Sequence, residues 1–222
     1  MEDGKAMINI IYEDNHLLVV EKPINMLVQS DNTNDKDLLS ILKQYIKEKY
    51  HKPGNVYLGL VHRLDRPVGG LMVFAKTSKA ASRLSEQVRK HEFEKIYYAV
   101  ICGKPKNSDI LVDKLLKDSN KNIVRVDERG KEAILSYELI EFKDNLSLVK
   151  ITLKTGRSHQ IRVQFSSRNM PLWGDQKYNK NAKVGEQLAL FAKDLSFYHP
   201  ITKEKLTFSL NMPNSYPWII FN

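Results

Sequence analysis

The sequence predicts an α+β fold with a mixed, largely antiparallel β-sheet flanked by helices. Three observations support this prediction. The composition of the 222 residues is ordinary for a globular protein, with 42% hydrophobic and 27% charged residues. Short β-branched segments outnumber segments of helical periodicity, and neighbouring strands are joined by turn residues instead of alternating strictly with helices. No repeat, low-complexity tract or flexible linker divides the chain, so we expect a single domain.

The first half of the chain is predicted to hold two helices among its strands. Apolar residues at three-to-four spacing indicate a helix that ends before Pro53-Gly54, and Thr77 or Ser78 caps a second one. Turn residues at 13–15 indicate that the first two strands form a hairpin. The predicted bounds are strands 7–12 and 16–21, a helix within 35–50, a buried strand 71–75, a helix to about residue 89 and a strand 95–102.

The second half is predicted to be richer in strands. Residues 104–131 are mostly polar, with weak strands near Ile110 and Ile123 and a turn at 128–130. Alternating apolar residues on both sides of 143–145 indicate a hairpin. The predicted bounds are strands 133–142 and 146–153, a helix 159–168, and two last strands, 188–197 and 205–210.

Composition excludes several classes of protein and site. No apolar segment approaches the roughly 18 residues that a membrane helix needs. Residues 1–6 lack the pattern of a secretory signal, so we expect a cytoplasmic protein without a membrane partner. Cys102 is the only cysteine, which excludes an intrachain disulfide and a Cys-rich zinc site.

The charge of the chain favours an anionic partner. The 35 Lys and Arg exceed the 26 Asp and Glu, for a net charge of +9. Such a surface attracts nucleic-acid phosphates, although a merely solvated basic surface has the same composition. The basic residues are spread along the chain without a basic tail, so folding must assemble any binding surface.

Residues 62–70, HRLDRPVGG, place one carboxylate between two arginines just before a buried strand. The guanidinium groups favour the ionised form of Asp65, which suits a nucleophile or an electrostatic stabiliser. A simple Asp–Arg pair in a turn explains the same spacing. Neither a G-x-G-x-x-G nor a Walker pattern is present, so nucleotide cofactors are not expected.

Two further segments carry polar residues in positions that suit a cleft. In 155–163, TGRSHQIRV, His159 and Arg162 lie one helical turn apart, while Ile161 can anchor the helix. In 94–100, EKIYYAV, strand alternation sends Tyr97 and Tyr98 to opposite faces. A capped helix with surface cations and two ordinary strand tyrosines are the alternatives. Two histidines without a clustered carboxylate motif make only a weak metal site, so no metal is expected.

At these residues the sequence resembles the RluA-type pseudouridine synthases. The strongest match is HRLDRPVGGLMVFAKT at 62–77. Supporting matches are IIYEDNHLLVVEKP before it and EKIYYAV, TGRSHQIRV and LALFAKDLSFYHPIT after it, and all five segments occur in the family's order. The resemblance covers about residues 8–217, which we expect to form one catalytic domain without a preceding S4-like domain. It implies the pseudouridine synthase fold, with a central RNA-binding cleft.

The resemblance also implies an activity and a set of site residues. The reaction converts uridine in ribosomal or transfer RNA to pseudouridine, with no cofactor and no metal, and we expect a monomer. Asp65 matches the catalytic aspartate, Tyr97 the tyrosine that contacts the target base, and Arg162 the arginine paired with the catalytic carboxylate. Arg63 matches an arginine that helps to displace the target nucleotide. The implied substrate-binding residues are His62, Arg63, Leu64, His159, Gln160 and Ile161.

The chain departs from the family pattern at two places. Val68-Gly69 stands where many relatives have Thr-Ser, and Gln164 replaces a usual histidine. RNA selection would rest on the catalytic domain, with two candidate basic sets: Lys114, Lys117, Lys121, Arg125 and Lys131, or Lys177, Lys180 and Lys183. Two other functions stay open: a non-catalytic RNA-binding module with the same fold, and a nucleoside hydrolase, for which no paired second carboxylate is visible.

Overall fold

The computed structural model describes residues 8–31 and 35–221. Among these, the residues within Met1–Phe93 and Leu195–Leu210 form one compact unit, and those within Glu94–Asp194 and Asn211–Asn222 form a second. The predicted α+β class with largely antiparallel pairing is confirmed. Met7, at the start of the first predicted strand, and residues 1–6 lie outside the described part. No helix in the described part is long and apolar enough to cross a membrane.

The first unit packs two helices against antiparallel strands. Strand β2 pairs with β1 and β4, and the two-residue β3 pairs with β4. The bounds are β1 Asn9–Glu13, β2 Leu17–Lys22, α1 Leu38–Lys49, β3 Gly59–Leu60, β4 Gly69–Ala75, α2 Ser78–Arg89 and β11 Lys205–Ser209. Strand β11 pairs with β10, Leu190–Tyr198. The part of β10 from Leu195 onward belongs to the first unit.

Local signals explain both helices of this unit. The Asp37 carboxylate accepts the N–H of Ser40, and the Thr77 hydroxyl accepts that of Ala80, so each helix has a capped first turn. Leu84 of α2 packs with Val73 of β4 and other buried residues in an apolar core. All seven residues of β4 are buried.

A cluster around Glu13 ties α1 to the strands of the first unit. Its carboxylate accepts hydrogen bonds from two lysines and two tyrosines, Lys49, Lys76, Tyr45 and Tyr50. Burial acts to raise the pKa of Glu13, but these hydrogen bonds outweigh it and lower the pKa to about 2.

The second unit is built on an antiparallel ladder in the order β5-β9-β8-β6-β7. Its bounds are β5 Glu94–Cys102, β6 Ser108–Asp118, β7 Ile123–Val126, β8 Lys131–Lys143, β9 Leu146–Leu153, α3 Gln160–Ser166 and a 3₁₀ turn Trp218–Phe221. The weak strand predicted near Ile110 is an eleven-residue strand, because β8 pairs with it from Ser108 to Leu115.

Several boundaries differ from the predictions by one to three residues. Helix α3 begins at Gln160 because His159 adopts a left-handed conformation, with a φ of 52°, that cannot be part of the helix. The helix ends at Ser166, two residues before the predicted end. Strand β10 begins at Leu190 and not at 188. Strand β3 and the 3₁₀ turn were not predicted, since segments this short carry no periodic signal.

Candidate functional site

In the first unit, Asp65 lies in a tight turn directly before the buried strand β4. The N–H of Val68 donates to the Asp65 carbonyl at 3.0 Å, which closes the turn. Leu64 is buried and anchors the turn, whereas Arg63 is exposed. His62 accepts the N–H of Val73 at Nε2, at 3.1 Å. This ring nitrogen therefore braces the segment against β4, a role that the sequence did not indicate.

A buried lysine stabilises the same turn through hydrogen bonds to backbone carbonyls. Lys22 is only 1% exposed, and its ammonium donates to the carbonyls of Pro23, Arg66 and Val68 at 2.9, 3.1 and 2.7 Å. Burial lowers the pKa of Lys22 to about 7, against the opposing effect of the Asp65 charge. Two of the three acceptors follow Asp65 within three residues, so Lys22 fixes the backbone that presents the carboxylate. Lys22 was not predicted to be a site residue, although it belongs to the matched segment IIYEDNHLLVVEKP.

In the second unit, Tyr97 lies on the face of the ladder that α3 covers. It stands opposite Ile151, which stands opposite Tyr137, so the three side chains share one face. The Tyr137 ring lies 5.3 Å from that of Phe165 on α3. Tyr97 is 6% exposed. Tyr98 points to the opposite face, as predicted, where the Lys193 ammonium lies 5.6 Å from its ring.

The residues that begin α3 are held by side-chain hydrogen bonds. The Gln160 Oε1 accepts from the Thr155 hydroxyl at 2.8 Å and from the Arg157 N–H at 2.9 Å. Ile161 is 4% exposed and packs inward, as predicted. His159 is also buried, and its Nδ1 lies 2.6 Å from the Tyr178 hydroxyl. His159 and Gln160 are therefore built into the fold at the start of α3.

Arg162 is clamped by two residues that sequence analysis did not select. Its Nε and Nη2 donate to the two oxygens of Asp175 at 2.8 and 2.7 Å, and the ring of Tyr178 lies 5.1 Å from the guanidinium carbon. The Asp175 side chain is fully buried and also accepts the N–H groups of Lys177 and Tyr178. This parallel pair uses one edge of the guanidinium and fixes the direction of the other. The predicted pairing of Arg162 with Asp65 stays a prediction.

The structure gives physical roles to the two departures. Gln164 Nε2 donates to Asp113 at 2.7 Å, and Arg168 donates to the same carboxylate at 2.8 Å, which links α3 to β6. Val68 is buried, and a Cβ on Gly69 would lie 3.0 Å from Ile24. Both positions therefore face packed protein.

Members of the two predicted basic sets are exposed on the second unit. Two of the first set have acidic neighbours: Lys114 pairs with Glu128 at 2.9 Å and Arg125 with Asp127 at 3.2 Å. In the second set, the Lys177 ammonium donates to the carbonyl of Asn122 at 2.8 Å. Their contact with RNA stays a prediction.

Comparison with known proteins identifies the family. The RNA pseudouridylate synthase model matches residues 16–167. The chain is 36% identical over 220 residues to ribosomal large subunit pseudouridine synthase D of Zymomonas mobilis, covering 93% of this chain and 69% of the relative. It is 34% identical to the dual-specificity RNA pseudouridine synthase RluA of Haemophilus influenzae, covering 91% of this chain and 92% of that protein.

A solved structure supports the fold. The human RNA pseudouridylate synthase domain containing 4 aligns with a TM-score of 0.78 at 22% identity, over 93% of this chain and 89% of that one. The matched region contains the Asp65 turn, Tyr97 on β5 and the first residues of α3. The resemblance found in the motifs is thus confirmed, and the chain belongs to the RluA-type RNA pseudouridine synthase family.

Proposed function

We propose that this protein isomerises uridine to pseudouridine in ribosomal RNA, with Asp65 as the catalytic carboxylate. The observation that carries the proposal is the family match over residues 16–167, which spans Asp65, Tyr97 and Arg162. The matched relative from Zymomonas mobilis is named for the large ribosomal subunit, and the one from Haemophilus influenzae for dual specificity. A ribosomal substrate also suits the cytoplasmic location expected from the sequence.

The reaction breaks the N1–C1′ bond of uridine, turns the uracil and joins C5 to C1′; the C5 hydrogen leaves as a proton, and N1 takes up a proton. The Asp65 carboxylate is suited to this chemistry because it can attack C1′, stabilise positive charge there or remove a sugar proton. A stacked base cannot turn, so the nucleotide must leave its helix, at a cost of a few kcal/mol that is least for loops. Arg63, exposed two residues before Asp65, is positioned on the same turn to assist that step.

The remaining predicted residues have supporting roles in this proposal. Arg162, whose guanidinium is held by Asp175, would pair with the Asp65 carboxylate, as the resemblance to the family implies. Tyr97 would contact the target base and exclude water, since water at the open C1′ would hydrolyse the sugar. The other predicted residues, His62 and Leu64 in the first unit and His159, Gln160 and Ile161 in the second, would each take part in binding the substrate.

The test is tritium release from large-subunit ribosomal RNA transcribed with uridine labelled at C5. We expect release by the wild type and none by Asp65→Asn, with RNA binding retained. Asp144→Asn is the matched control, because Asp144 is an exposed turn residue with a φ of 53° that asparagine tolerates.

Other outcomes would point to the alternatives. RNA binding without release by the wild type would contradict the proposed activity and favour a binding module. Free uracil without an isomerised product would favour a hydrolase. Full release by Asp65→Asn would remove Asp65 from the catalytic role.

A further inference from the structure

Lys95, on β5, is a sheltered lysine for which the described residues supply no partner. Its side chain is partly buried, and burial lowers the pKa of its ammonium. Among the described residues, neither a hydrogen bond nor an ion pair joins it to another side chain or backbone group. Other sheltered lysines differ: Lys22 donates to three carbonyls, and Lys76 pairs with Glu13 at 2.8 Å.

A desolvated cation without a partner is costly, so its position in a fold calls for an external anion. A carbonyl oxygen of uracil would only partly offset that cost because it carries no full charge. The RNA backbone offers a phosphate at every nucleotide, and ammonium groups bind phosphate as point charges.

The position of Lys95 relative to Tyr97 indicates which part of the RNA it meets. The two residues are separated by one position on a strand, so their side chains lie on the same face about 6.6 Å apart along β5. That face is the one covered by α3, as the ring contact between Tyr137 and Phe165 shows.

Gly156 leaves room beside the ammonium. A Cβ at this position would lie 3.4 Å from the Lys95 Nζ, and Gly156 itself is exposed. Its φ lies outside the left-handed region, so the backbone does not require glycine there. The absence of a side chain keeps one side of the ammonium open to an incoming group.

We propose that Lys95 binds a backbone phosphate of the RNA next to the nucleotide that Tyr97 contacts, and that Gly156 keeps the approach to its ammonium open. This proposal rests on the proposed function, since it takes RNA as the substrate. It adds a phosphate contact to β5, for which the resemblance implied only the contact of Tyr97 with the target base.

Salt-dependent binding tests the proposal independently of catalysis. The probe is a fluorescein-labelled twelve-residue oligouridylate, and its dissociation constant is measured by anisotropy across a range of salt concentrations. Loss of one phosphate contact on a single strand makes the slope of the logarithm of the association constant, the reciprocal of that dissociation constant, against log salt less negative by about 0.7. If the phosphate contact contributes nothing to binding near 1 M salt, the variant should bind about 5-fold more weakly than the wild type at 0.1 M salt.

We expect this change for Lys95→Met and not for Lys95→Arg, which keeps the charge. Lys79→Met is the matched control because it removes an exposed lysine of α2 outside both predicted basic sets. Gly156→Ala should weaken binding less than Lys95→Met does, by placing a methyl group against the ammonium. It serves as a second test if Lys95→Met fails to fold.

The outcomes separate this proposal from the proposed function. An unchanged slope and affinity in Lys95→Met would overturn the phosphate contact, even if tritium release were lost. A changed slope with a wild-type protein that releases no tritium would support the contact and contradict the activity. A change of equal size in Lys79→Met would show general charge loss and overturn the assignment to Lys95.

Discussion

Replacing Asp175 with asparagine should destabilise the second unit strongly. The carboxylate is fully buried, and the side chain of Arg162 is only 7% exposed. Asparagine keeps one oxygen but presents an N–H₂ group where the other oxygen accepted from Arg162, so one guanidinium N–H faces a donor. Breaking a buried ion pair by removing one partner costs about 3–5 kcal/mol. At about 2–4 °C per kcal/mol for a chain of this size, the midpoint of thermal unfolding should fall by about 6–20 °C.

Tryptophan fluorescence during urea unfolding is a suitable measurement for this prediction. Both tryptophans, Trp173 and Trp218, belong to the same unit as Asp175, so the signal reports on that unit. Asp144→Asn is the control, because Asp144 is an exposed turn residue of the same unit and its substitution should be nearly neutral. A loss in Asp175→Asn no larger than that of the control would refute the reasoning. Folded Asp175→Asn should also release less tritium than the wild type while still binding oligouridylate.

Two predictions concern pH. The pKa of Glu13 is about 2 in the folded protein, below its ordinary 4.5, so its stabilisation is present above pH 4.5 and is lost as the pH falls toward 2. The difference in unfolding free energy between wild type and Glu13→Gln should therefore shrink over that range, and a constant difference would contradict the assignment. The pKa of Lys22 is about 7, below its ordinary 10.5, so the unfolded chain holds more protons between these values and stability rises with pH there. Relative to Lys22→Met, the wild type should gain stability from pH 7 to 10, and parallel curves for the two proteins would show that Lys22 does not titrate in this way.

Much of the fold could be predicted because its signals are local. Helix α2 begins where Thr77 can cap it, and β4 was evident as a continuous apolar segment. The boundaries of β6 could not be predicted, since exposed Ile110 and Val112 are fixed by pairing with β8 and not by their own pattern. The two-residue β3 likewise exists through its pairing with β4.

The residues of the candidate site likewise divide into those that could be predicted from the sequence and those that could not. The motifs identified the family and selected Asp65, Tyr97 and Arg162, because the order and the residue types of these segments can be recognised from the sequence alone. The partners that hold them were not visible. Asp175 is 13 residues from Arg162, and Val68 is 46 residues from Lys22, so no periodicity or spacing along the chain links either pair.

Burial and long-range contact are properties of the folded chain, and they give these residues their chemistry. In the sequence, nothing distinguishes Lys22 from the other basic residues. In the structure, its ammonium donates hydrogen bonds to three carbonyls. Lys95 stands two residues from Tyr97 in the sequence, yet only folding shelters its charge and brings Gly156 beside it. The motifs thus determine the family and the expected reaction, whereas charge compensation depends on distances that arise only when distant segments pack together.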